Sequence, residues 1–506
     1  MLSDTAQPAE HRRHLLLQLE LRLPLWRYFA AVRRQRFAFL LDSAKDPDKL
    51  GQYSFLGADP FCVFTAKHQR GAPPCAGAHI EVSFYPTPEG PAQRRRSLGD
   101  PFAALRQLLR TYGVERAEYS AHPVPFLSGA VGYIGYEAGY FIESLPDLGI
   151  DDLGLPDMWL LLCDSLLAHC HRSGRSYLSV IGRGADPAAA TRQAETAQKQ
   201  WLRRLAAFEA APDLDEEPRP GGEPAELPLH AHFDRAQYCQ AVEAVKEHIF
   251  AGDAYEVCLS HRLDAAFCGD PLRLYAALRR INPAPFASLL KLDELYVISS
   301  SPERFLRLGP DRVAESRPIK GTRPRGKTPE EDAALYRELG ASIKDRAENS
   351  MIVDLVRNDL GRVAKFGSVH VPELLIIEAY ATVFQLVSTV RATLEDSVDA
   401  VELLRACFPG GSMTGAPKIE AMKIIDRLEP VKRGIYAGSI GYLDFSGSLD
   451  LSIVIRTLVL TGGRCYFSVG GAVVADSDPG EEYAETLAKA QALIAALRTV
   501  KERGPS

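Results

Sequence analysis

The sequence predicts an α+β fold, because strand-like and helix-like patterns alternate irregularly along its 506 residues. Apolar runs rich in β-branched residues predict strands at 295–300, 449–460 and 465–469. A helix opens the carboxy-terminal half, where apolar side chains recur at i, i+4, i+7 and i+11, namely Tyr238, Val242, Val245 and Ile249. This irregular order favours one mixed architecture over a regular βαβ repeat.

The composition is that of an ordinary globular protein, with 46% hydrophobic residues and a formal net charge of −6. A pI near 6.1 argues against nucleic acid as the main partner, because phosphate binding needs a clustered basic excess. The three arginines at 94–96 are interpreted as a solvated loop. No stretch approaches the roughly 20 apolar residues of a membrane helix, and the first residues are polar, so we expect a cytoplasmic protein without membrane contact.

The nine cysteines are scattered and lack a CxxC pair or a zinc-type spacing. Cys163, Cys258 and Cys407 stand in apolar surroundings. That setting predicts buried thiols rather than nucleophiles or metal ligands.

Composition divides the chain into four segments. Residues 1–14 are expected to form a loose amino-terminal tail, and residues 15–208 an amino-terminal region. Residues 209–230 are rich in Pro, Glu and Gly, which is typical of a linker or long loop. Residues 231–503 then form a carboxy-terminal domain.

Glycines recur every three residues in the amino-terminal region, at Gly129, Gly132 and Gly135. This spacing differs from the GxGxxG of a dinucleotide-binding loop, and no βαβ pattern surrounds it. The glycines therefore predict close backbone packing between strands.

One lysine has an unusual setting, in the sequence RPIKGT at residues 317–322. Most isolated lysines are solvated on the surface of a loop. Lys320, however, follows a strand-like stretch and is bounded by Pro318 and Gly321, so the sequence predicts a turn that keeps it out of bulk water. Whether it carries chemistry depends on the residues that accompany it.

Two predicted helices each present acidic side chains on one face. The first spans residues 344–355, and the second begins at a helix start with Asp478 as N-cap and Pro479 at the first position. Each face alone is typical of a solvated surface. Together, carboxylates from two helices suit Mg²⁺, which prefers oxygen ligands. The side chains concerned are Asp345 and Glu348 on the first helix, and Glu482, Glu485 and Lys489 on the second.

A glycine-rich loop, FPGGSMTGAPK at residues 408–418, precedes a predicted helix with Pro417 at its first position. Exposed backbone N–H groups and the helix dipole predict an anion-binding site. The loop is not a nucleotide P-loop, because Ala416 rather than a lysine follows Gly415. A dicarboxylate substrate is the better match.

Two further charges stand in or beside apolar runs. Arg456 in SIVIRT is costly to bury unless an anion meets it, and a structural ion pair is the alternative. Glu303 in SPERF ends a predicted strand, and an ion pair with Arg304 or Arg307 is its alternative.

These motifs, in this order, resemble those of the chorismate-utilising enzymes, strongly over residues 238–500 and more weakly over 25–180. The resemblance implies two stacked antiparallel β-sheets flanked by helices, the chorismate-binding fold. It also implies that residues 15–208 are similar to the corresponding region of anthranilate synthase component I, and that residues 231–503 form the chorismate-binding catalytic domain.

A lysine at this position of the family implies amination of chorismate to 4-amino-4-deoxychorismate, on the way to p-aminobenzoate and folate. Lys320 attacks the ring, Glu303 acts as the general acid for the departing hydroxyl, and ammonia then displaces the lysine. This role needs a lowered pKa of Lys320, from burial and magnesium, and a raised pKa of Glu303, from burial and neighbouring carboxylates. Ammonia is expected from a separate glutaminase subunit in a heterodimer, since no cysteine stands in a G-x-C-x-G turn.

The resemblance also assigns binding residues. Glu348 and Glu485 are implied to hold Mg²⁺ with support from Asp345 and Glu482, and the ion grips the ring carboxylate of chorismate. The residues implied to contact the substrate are Thr322, Thr414, Gly415, Tyr436, Arg456, Gly470, Gly471, Lys489 and Gln385. In relatives, the region of residues 40–44 lies beside a buried tryptophan-binding pocket.

Two positions depart from the family pattern. Gln385 stands where the family usually has histidine, and glutamine can donate a hydrogen bond but cannot carry a proton. Glu256 is often glutamine in amidating relatives and is lysine in salicylate and isochorismate synthases. A carboxylate there argues against those two activities.

Two alternatives stay open. Anthranilate synthase component I has alanine at the position of Lys320 and adds ammonia directly. A non-catalytic chorismate-binding regulator would keep Arg456 and the glycine-rich loop but would need neither Lys320 nor Glu303.

Overall fold

The computed structural model describes residues 11–85, 92–115, 122–210, 227–380 and 383–501. In this part of the chain the strands form two antiparallel sheets of twelve strands each. The strands are β1 (His11–Leu19), β2 (Phe37–Asp42), β3 (Tyr53–Ala58), β4 (Cys62–His68), β5 (Ala78–Phe84), β6 (Gln93–Gly99), β7 (Gly129–Ile134), β8 (Met158–Cys163), β9 (Ser165–Cys170), β10 (Arg175–Gly184), β11 (His230–Ala231), β12 (Glu256–Ala266), β13 (Phe286–Leu292), β14 (Leu295–Ser301), β15 (Arg304–Leu308), β16 (Val313–Ser316), β17 (Ile319–Pro324), β18 (His370–Ala379), β19 (Val383–Thr393), β20 (Gly415–Ala416), β21 (Ser439–Asp444), β22 (Leu449–Ile453), β23 (Thr457–Thr461) and β24 (Arg464–Val473).

Helices flank both sheets. The α-helices are α1 (Pro101–Tyr112), α2 (Pro187–Ala210), α3 (Arg235–Ala251), α4 (Pro271–Ile281), α5 (Pro329–Ala341), α6 (Ile343–Gly361), α7 (Ala400–Cys407), α8 (Lys418–Leu428) and α9 (Pro479–Lys501). Short 3₁₀ helices span Leu25–Ala31, Tyr136–Phe141 and Gly411–Met413. None of the helices in the described ranges is long and apolar enough to cross a membrane.

Both sheets combine strands from the two sides of residues 209–230. The first sheet has the order β1-β10-β9-β3-β2-β13-β14-β23-β24-β12-β11, with β20 also paired to β12. The second has the order β17-β19-β16-β15-β22-β21-β7-β8-β4-β5-β6, with β18 also paired to β19. The predicted α+β class with two antiparallel sheets is therefore confirmed.

One apolar layer lies between the sheets, and two more lie between the sheets and the helices. Across the central layer, the rings of Phe55 on β3 and Tyr442 on β21 are 5.6 Å apart. On the outer side of the first sheet, Leu178 shares a buried cluster with Trp201 and Leu274 of the helices. The helices that bear the acidic residues are thus anchored by apolar packing on each side of the molecule.

Local sequence explains the two helix starts that matter most for the candidate site. At α9, Asp478 Oδ1 accepts hydrogen bonds from the backbone N–H groups of Gly480 and Glu481, each at 2.9 Å, as the sequence predicts. At α6, Ser342 Oγ accepts from the backbone N–H of Asp345 at 3.3 Å. These caps fix where the acidic side chains project.

Several local predictions have a definite outcome. Gly129 and Gly132 are confirmed as close-packing positions, since an added Cβ would collide with the carbonyl oxygens of Leu443 and Trp159. The run 449–460 is two strands rather than one, because the chain breaks at Arg456. The arginines at 94–96 lie on β6 rather than in a loop. The cysteines predicted to be buried are free and buried, at Cys163, Cys258 and Cys407.

The predicted domain boundaries stay a prediction. Residues 1–10 of the predicted tail lie outside the described residues, and the following residues already belong to β1. Of the predicted linker, residues 211–226 lie outside the described ranges, while its ends belong to α2 and β11.

Candidate active site

Most of the chemistry-bearing residues meet where β12 and β17 face helices α6 and α9. Lys320 on β17 contacts Glu256 at the start of β12. Lys344 on α6 contacts Glu482 on α9. The site is therefore assembled from strands of both sheets and from two helices that are distant in the sequence.

The lysine predicted to be the nucleophile is buried and forms an ion pair. Lys320 Nζ donates a hydrogen bond to Glu256 Oε1 at 2.6 Å. Glu256 is fully buried, and its other oxygen, Oε2, has no hydrogen-bond partner among the described residues. Lys320 lies in strand β17, where the pairing with β19 is irregular between Ile319 and Thr322, and not in the predicted turn.

The pKa of Lys320 contradicts the sequence-based expectation. Burial lowers the pKa of Lys320, but the carboxylates of Glu256 and then Glu348 outweigh burial and raise it above its ordinary value. The expectation of a lowered pKa is wrong for this structure because it did not include Glu256, 64 positions away. Attack by Lys320 therefore requires that its proton first moves to a neighbour.

Glu303 has the protonation behaviour expected of a general acid. Burial raises its pKa to about 7, although hydrogen bonds from Ser412 and the backbone of Ile319, together with the charge of Lys320, act in the opposite direction. The cause is burial, and the nearest charge is a lysine rather than the neighbouring carboxylates that we expected. The alternative ion pair with Arg304 does not form, because Arg304 pairs with Asp450 and Glu315.

The acidic faces of α6 and α9 are not solvated surfaces. Glu348 and Glu482 are buried, with 9% and 3% of their surface exposed. Burial raises the pKa of Glu348 to about 7. The pKa of Glu485 is lowered, because the charge of Lys489 at 2.7 Å outweighs burial. Asp345 forms an ion pair with Arg323 at 3.0 Å.

The donor set fits a hard divalent cation. Glu348 Oε1 is buried and has no hydrogen-bond partner among the described residues. Glu482 Oε2 and Glu485 Oε1 both lie near Gly471, at 2.9 and 3.9 Å from a Cβ placed there. Oxygen atoms of this kind are the ligands that Mg²⁺ takes, usually with several waters. Glu348, Glu482 and Glu485 can hold the ion, while Asp345 is committed to Arg323.

Lys344 is a member of the site that the sequence analysis missed. Its Nζ lies 3.4 Å from Glu482 Oε1 and 4.0 Å from Glu348 Oε1. In the described residues, no three of the acidic side chains of α6 and α9 offer oxygens within 4.8 Å of one another. The ammonium of Lys344 lies between two carboxylates that a divalent cation would draw together. The lysine precedes Asp345 in the same predicted helix, and that position was the available signal.

The glycine-rich loop packs directly against the Lys320 and Glu256 pair. Gly415 has φ +133, and a Cβ there would collide with the backbone oxygen of Glu256. The backbone N–H of Cys258 donates to the carbonyl of Thr414 at 2.9 Å. Pro417 is the N-cap of α8 rather than its first helical residue. The loop thus places Thr414 and Gly415 beside Glu256.

Arg456 is a buried cation without a protein anion. Its side chain forms no hydrogen bond or ion pair with any residue that the structure describes, and burial lowers its pKa. Its backbone has φ +50, in the left-handed region that non-glycine residues rarely adopt. A strained position with an unpaired guanidinium favours an anion-binding role over the structural ion pair. Tyr436 is also buried, and burial raises its pKa.

The remaining predicted substrate contacts occupy two places. Gly470 and Gly471 lie on β24 opposite Ser260 and Leu259, and Lys489 Nζ donates to the carbonyl of Gly470 at 2.9 Å. Gln385 on β19 is buried and pairs in register with Thr322, which is exposed to solvent. The roles of these residues toward substrate stay predictions.

A separate cavity of about 450 Å³ lies between the two sheets. Its lining includes Asp42 and Ser43 from the first sheet and Arg307 and Tyr442 from the second. The carboxylate of Asp42 already accepts hydrogen bonds from Ser54, Tyr275 and Arg279. The pocket expected beside residues 40–44 is present, and its ligand stays a prediction.

Comparison with known proteins decides the family. The model of a family described as chorismate binding enzyme matches residues 51–495. The chain belongs to the chorismate binding enzyme family. An aminodeoxychorismate synthase component 1 of Bacillus subtilis is 37% identical over 92% of this chain and 92% of its own length. An anthranilate synthase component 1 of Acinetobacter calcoaceticus is 36% identical over 93% of this chain and 91% of its own.

Members of the chorismate binding enzyme family in Streptomyces are longer than this chain. An aminodeoxychorismate synthase of Streptomyces griseus is 46% identical over 91% of this chain, which spans 61% of that protein. The protein of that name in Streptomyces pristinaespiralis is 48% identical over 74% of this chain, and the match spans 52% of it. The chain thus spans between half and two thirds of these two relatives.

Solved structures agree with the family assignment. Anthranilate synthase component I from Streptococcus pneumoniae superposes with a TM-score of 0.71 at 28% identity, over 88% of this chain and 92% of that chain. A menaquinone-specific isochorismate synthase from Escherichia coli gives a TM-score of 0.70 at 19% identity, over 98% and 97% of the two chains. The second likeness concerns the fold alone.

Proposed function

We propose that this chain aminates chorismate to 4-amino-4-deoxychorismate through a covalent adduct on Lys320. The observation that carries the proposal is the buried Lys320, 2.6 Å from Glu256 and electrostatically coupled to Glu303. Overall identity does not separate the activities, because relatives with the aminodeoxychorismate synthase and anthranilate synthase names are 37% and 36% identical. The lysine supports the first activity, since anthranilate synthases carry alanine at its position.

The first half-reaction forms the adduct. Lys320 transfers a proton to Glu256, and its lone pair then attacks the chorismate ring. The carbon–oxygen bond of the ring hydroxyl breaks as Glu303 donates its proton, so water leaves. Near neutral pH a substantial fraction of Glu303 is protonated, because its pKa is about 7.

The second half-reaction releases the product and restores the site. Ammonia attacks the ring and the carbon–nitrogen bond to Lys320 breaks, which frees the lysine as a neutral amine. Glu256 returns the proton to Lys320, and Glu303 takes one proton from the new ammonium group. Chorismate and ammonia have then become 4-amino-4-deoxychorismate and water, with the enolpyruvyl group retained.

Substrate is held by charge at both of its carboxylates. When bound by Glu348, Glu482 and Glu485, Mg²⁺ supplies a positive charge for the ring carboxylate. Arg456 and the backbone N–H groups of the glycine-rich loop bind the enolpyruvyl carboxylate. This division leaves Lys320 and Glu303 free to act on the ring between them. We place the enzyme in the cytoplasm, on the route to p-aminobenzoate and folate.

The proposal is tested by identifying the product. Purified chain is incubated with chorismate, Mg²⁺ and ammonium salt, and the product is identified by mass and by conversion with a lyase that releases p-aminobenzoate. Anthranilate as the main product would make the chain an anthranilate synthase component. Chorismate binding without turnover would instead support the regulator alternative.

Glutamine is expected to support no turnover with this chain alone. None of the nine cysteines stands in the G-x-C-x-G turn of a glutaminase nucleophile, so ammonia must come from a separate subunit. Initial rates with glutamine and with ammonium salt at alkaline pH provide the comparison. Efficient glutamine use by the isolated chain would overturn the prediction of a glutaminase partner.

Glu348→Gln is expected to raise the Mg²⁺ concentration for half-maximal activity about tenfold or more. It should also raise the thermal stability of the metal-free protein at pH 7 to 8. The pKa of Glu348 is about 7 in the folded chain and 4.5 ordinarily, so the folded chain holds a proton that the unfolded chain releases. Stability from this group is therefore lost as pH rises from about 4.5 to about 7, and glutamine removes that loss.

The measurements are Mg²⁺ titrations of activity and Tm in EDTA at pH 5 and pH 8. Lys344→Gln is the matched opposite, because removal of its ammonium should raise Mg²⁺ affinity and lower Tm in EDTA. Equal Mg²⁺ dependence in wild type and both variants would remove these helices from the metal site.

A further inference from the structure

A cluster of metal-ligating side chains lies outside the active site, at the edge of the first sheet. Strand β11 pairs with β12 so that His230 stands opposite Asp264. His232 continues this pairing, with its backbone N–H donating to the carbonyl of Arg262 at 3.0 Å. Residues two apart on a strand share a face, so both imidazoles lie on the side of Asp264.

The three side chains converge on one point. His230 Nδ1 lies 3.0 Å and His232 Nε2 3.2 Å from the same oxygen, Asp264 Oδ1. One ligand atom from each residue lies within 4.8 Å of the others. Ligands about 2.0–2.2 Å from a zinc ion lie roughly 3–3.6 Å apart, so a metal fits with small side-chain rotations.

Neighbouring groups fix the carboxylate and leave the imidazoles accessible. Arg464 Nε donates to Asp264 Oδ2 at 2.8 Å, which turns the other oxygen toward the histidines. The side chain of Asp264 is 3% exposed, whereas that of His230 is 65% exposed. An ion can therefore enter from the His230 side and complete its coordination with water.

The donor set and its surroundings select the class of metal. Imidazole nitrogens bind zinc, nickel, copper and cobalt better than they bind magnesium or calcium. The charge of Arg464 beside Asp264 further disfavours a hard cation that depends on negative charge alone.

We propose that His230, His232 and Asp264 bind one divalent transition-metal ion of the zinc class. The ion would tie β11, which follows residues 211–226, to strand β12. Asp264 is eight residues from Glu256 along β12, or about 26 Å, so the two sites are independent.

The test uses untagged protein in the presence of excess Mg²⁺, which fills the carboxylate site first. Co²⁺ serves as a spectroscopic probe and Zn²⁺ as its competitor. Wild type is expected to bind one Co²⁺ per chain with a visible absorption band that zinc abolishes, and zinc should raise its Tm by several degrees. His230→Gln and His232→Gln should each lose the band and the zinc-dependent rise in Tm.

His248→Gln is the matched control, because His248 pairs with a single carboxylate, that of Asp253, at 2.7 Å. It should keep both signals. Amination activity measured in parallel shows that each variant is folded, and it should be unchanged in all of them. Equal Co²⁺ binding in wild type and both cluster variants, or no binding in wild type, would overturn the proposal and reduce the cluster to hydrogen-bonded ion pairs.

Discussion

Lys320→Ala is expected to lower the rate of 4-amino-4-deoxychorismate formation on the order of 10²-fold or more. Chorismate binding should remain nearly intact, because the substrate is held by Arg456, the glycine-rich loop and the metal-binding carboxylates. The loss concerns the attacking amine, which no other lysine can replace. Steady-state rates and a binding titration separate the two effects.

Lys320→Arg is the control for charge, since it keeps a cation beside Glu256 but offers no nucleophilic amine at neutral pH. It should be as inactive as the alanine variant. Wild type incubated with chorismate and no ammonia should carry an adduct on Lys320, detectable by peptide mass spectrometry. Undiminished product formation by Lys320→Ala would remove the lysine from the mechanism.

Glu303→Gln is expected to lower amination by 10²–10⁴-fold, as loss of a general acid does. Glutamine has the same shape and keeps a hydrogen bond to its neighbours but has no acidic proton to give. Wild type should lose activity as pH rises above about 7, where Glu303 gives up its proton. The experiment is adduct formation on Lys320 without ammonia, followed from pH 6 to pH 9.

Glu137→Gln is the matched control, because burial also raises the pKa of Glu137 to about 7, while its carboxylate accepts from the backbone of Arg433. This variant should form the adduct at nearly the wild-type rate. A Glu303→Gln variant that forms the adduct as fast would show that another group protonates the leaving hydroxyl.

Local patterns predicted the parts of the site that depend on spacing within one element. The acidic faces of α6 and α9 follow from helical periodicity, and the apolar run around Arg456 marked a charge in need of an anion. Glu303 was identified through resemblance, and its raised pKa then followed from burial. These features require no knowledge of how distant strands pair.

The features that the sequence did not predict depend on that pairing. Glu256 was interpreted only as evidence against other activities, whereas in the structure it is the partner of Lys320 across 64 positions. Its carboxylate reversed the expected direction of the pKa of Lys320. The turn predicted around Lys320 is an irregular strand, because pairing with β19 overrides the local preference of Pro318 and Gly321.

The interleaving of strands sets a schedule for folding during synthesis. Strand β2 finds its partner in β13, and the backbone N–H of Leu127 beside β7 bonds to Asp444, 317 positions later. At about 5–20 residues per second, a ribosome needs roughly 15–60 s to deliver that partner. The nascent amino-terminal half therefore presents unpaired apolar edges for that interval, which makes it a client for chaperones and makes truncated chains prone to aggregate.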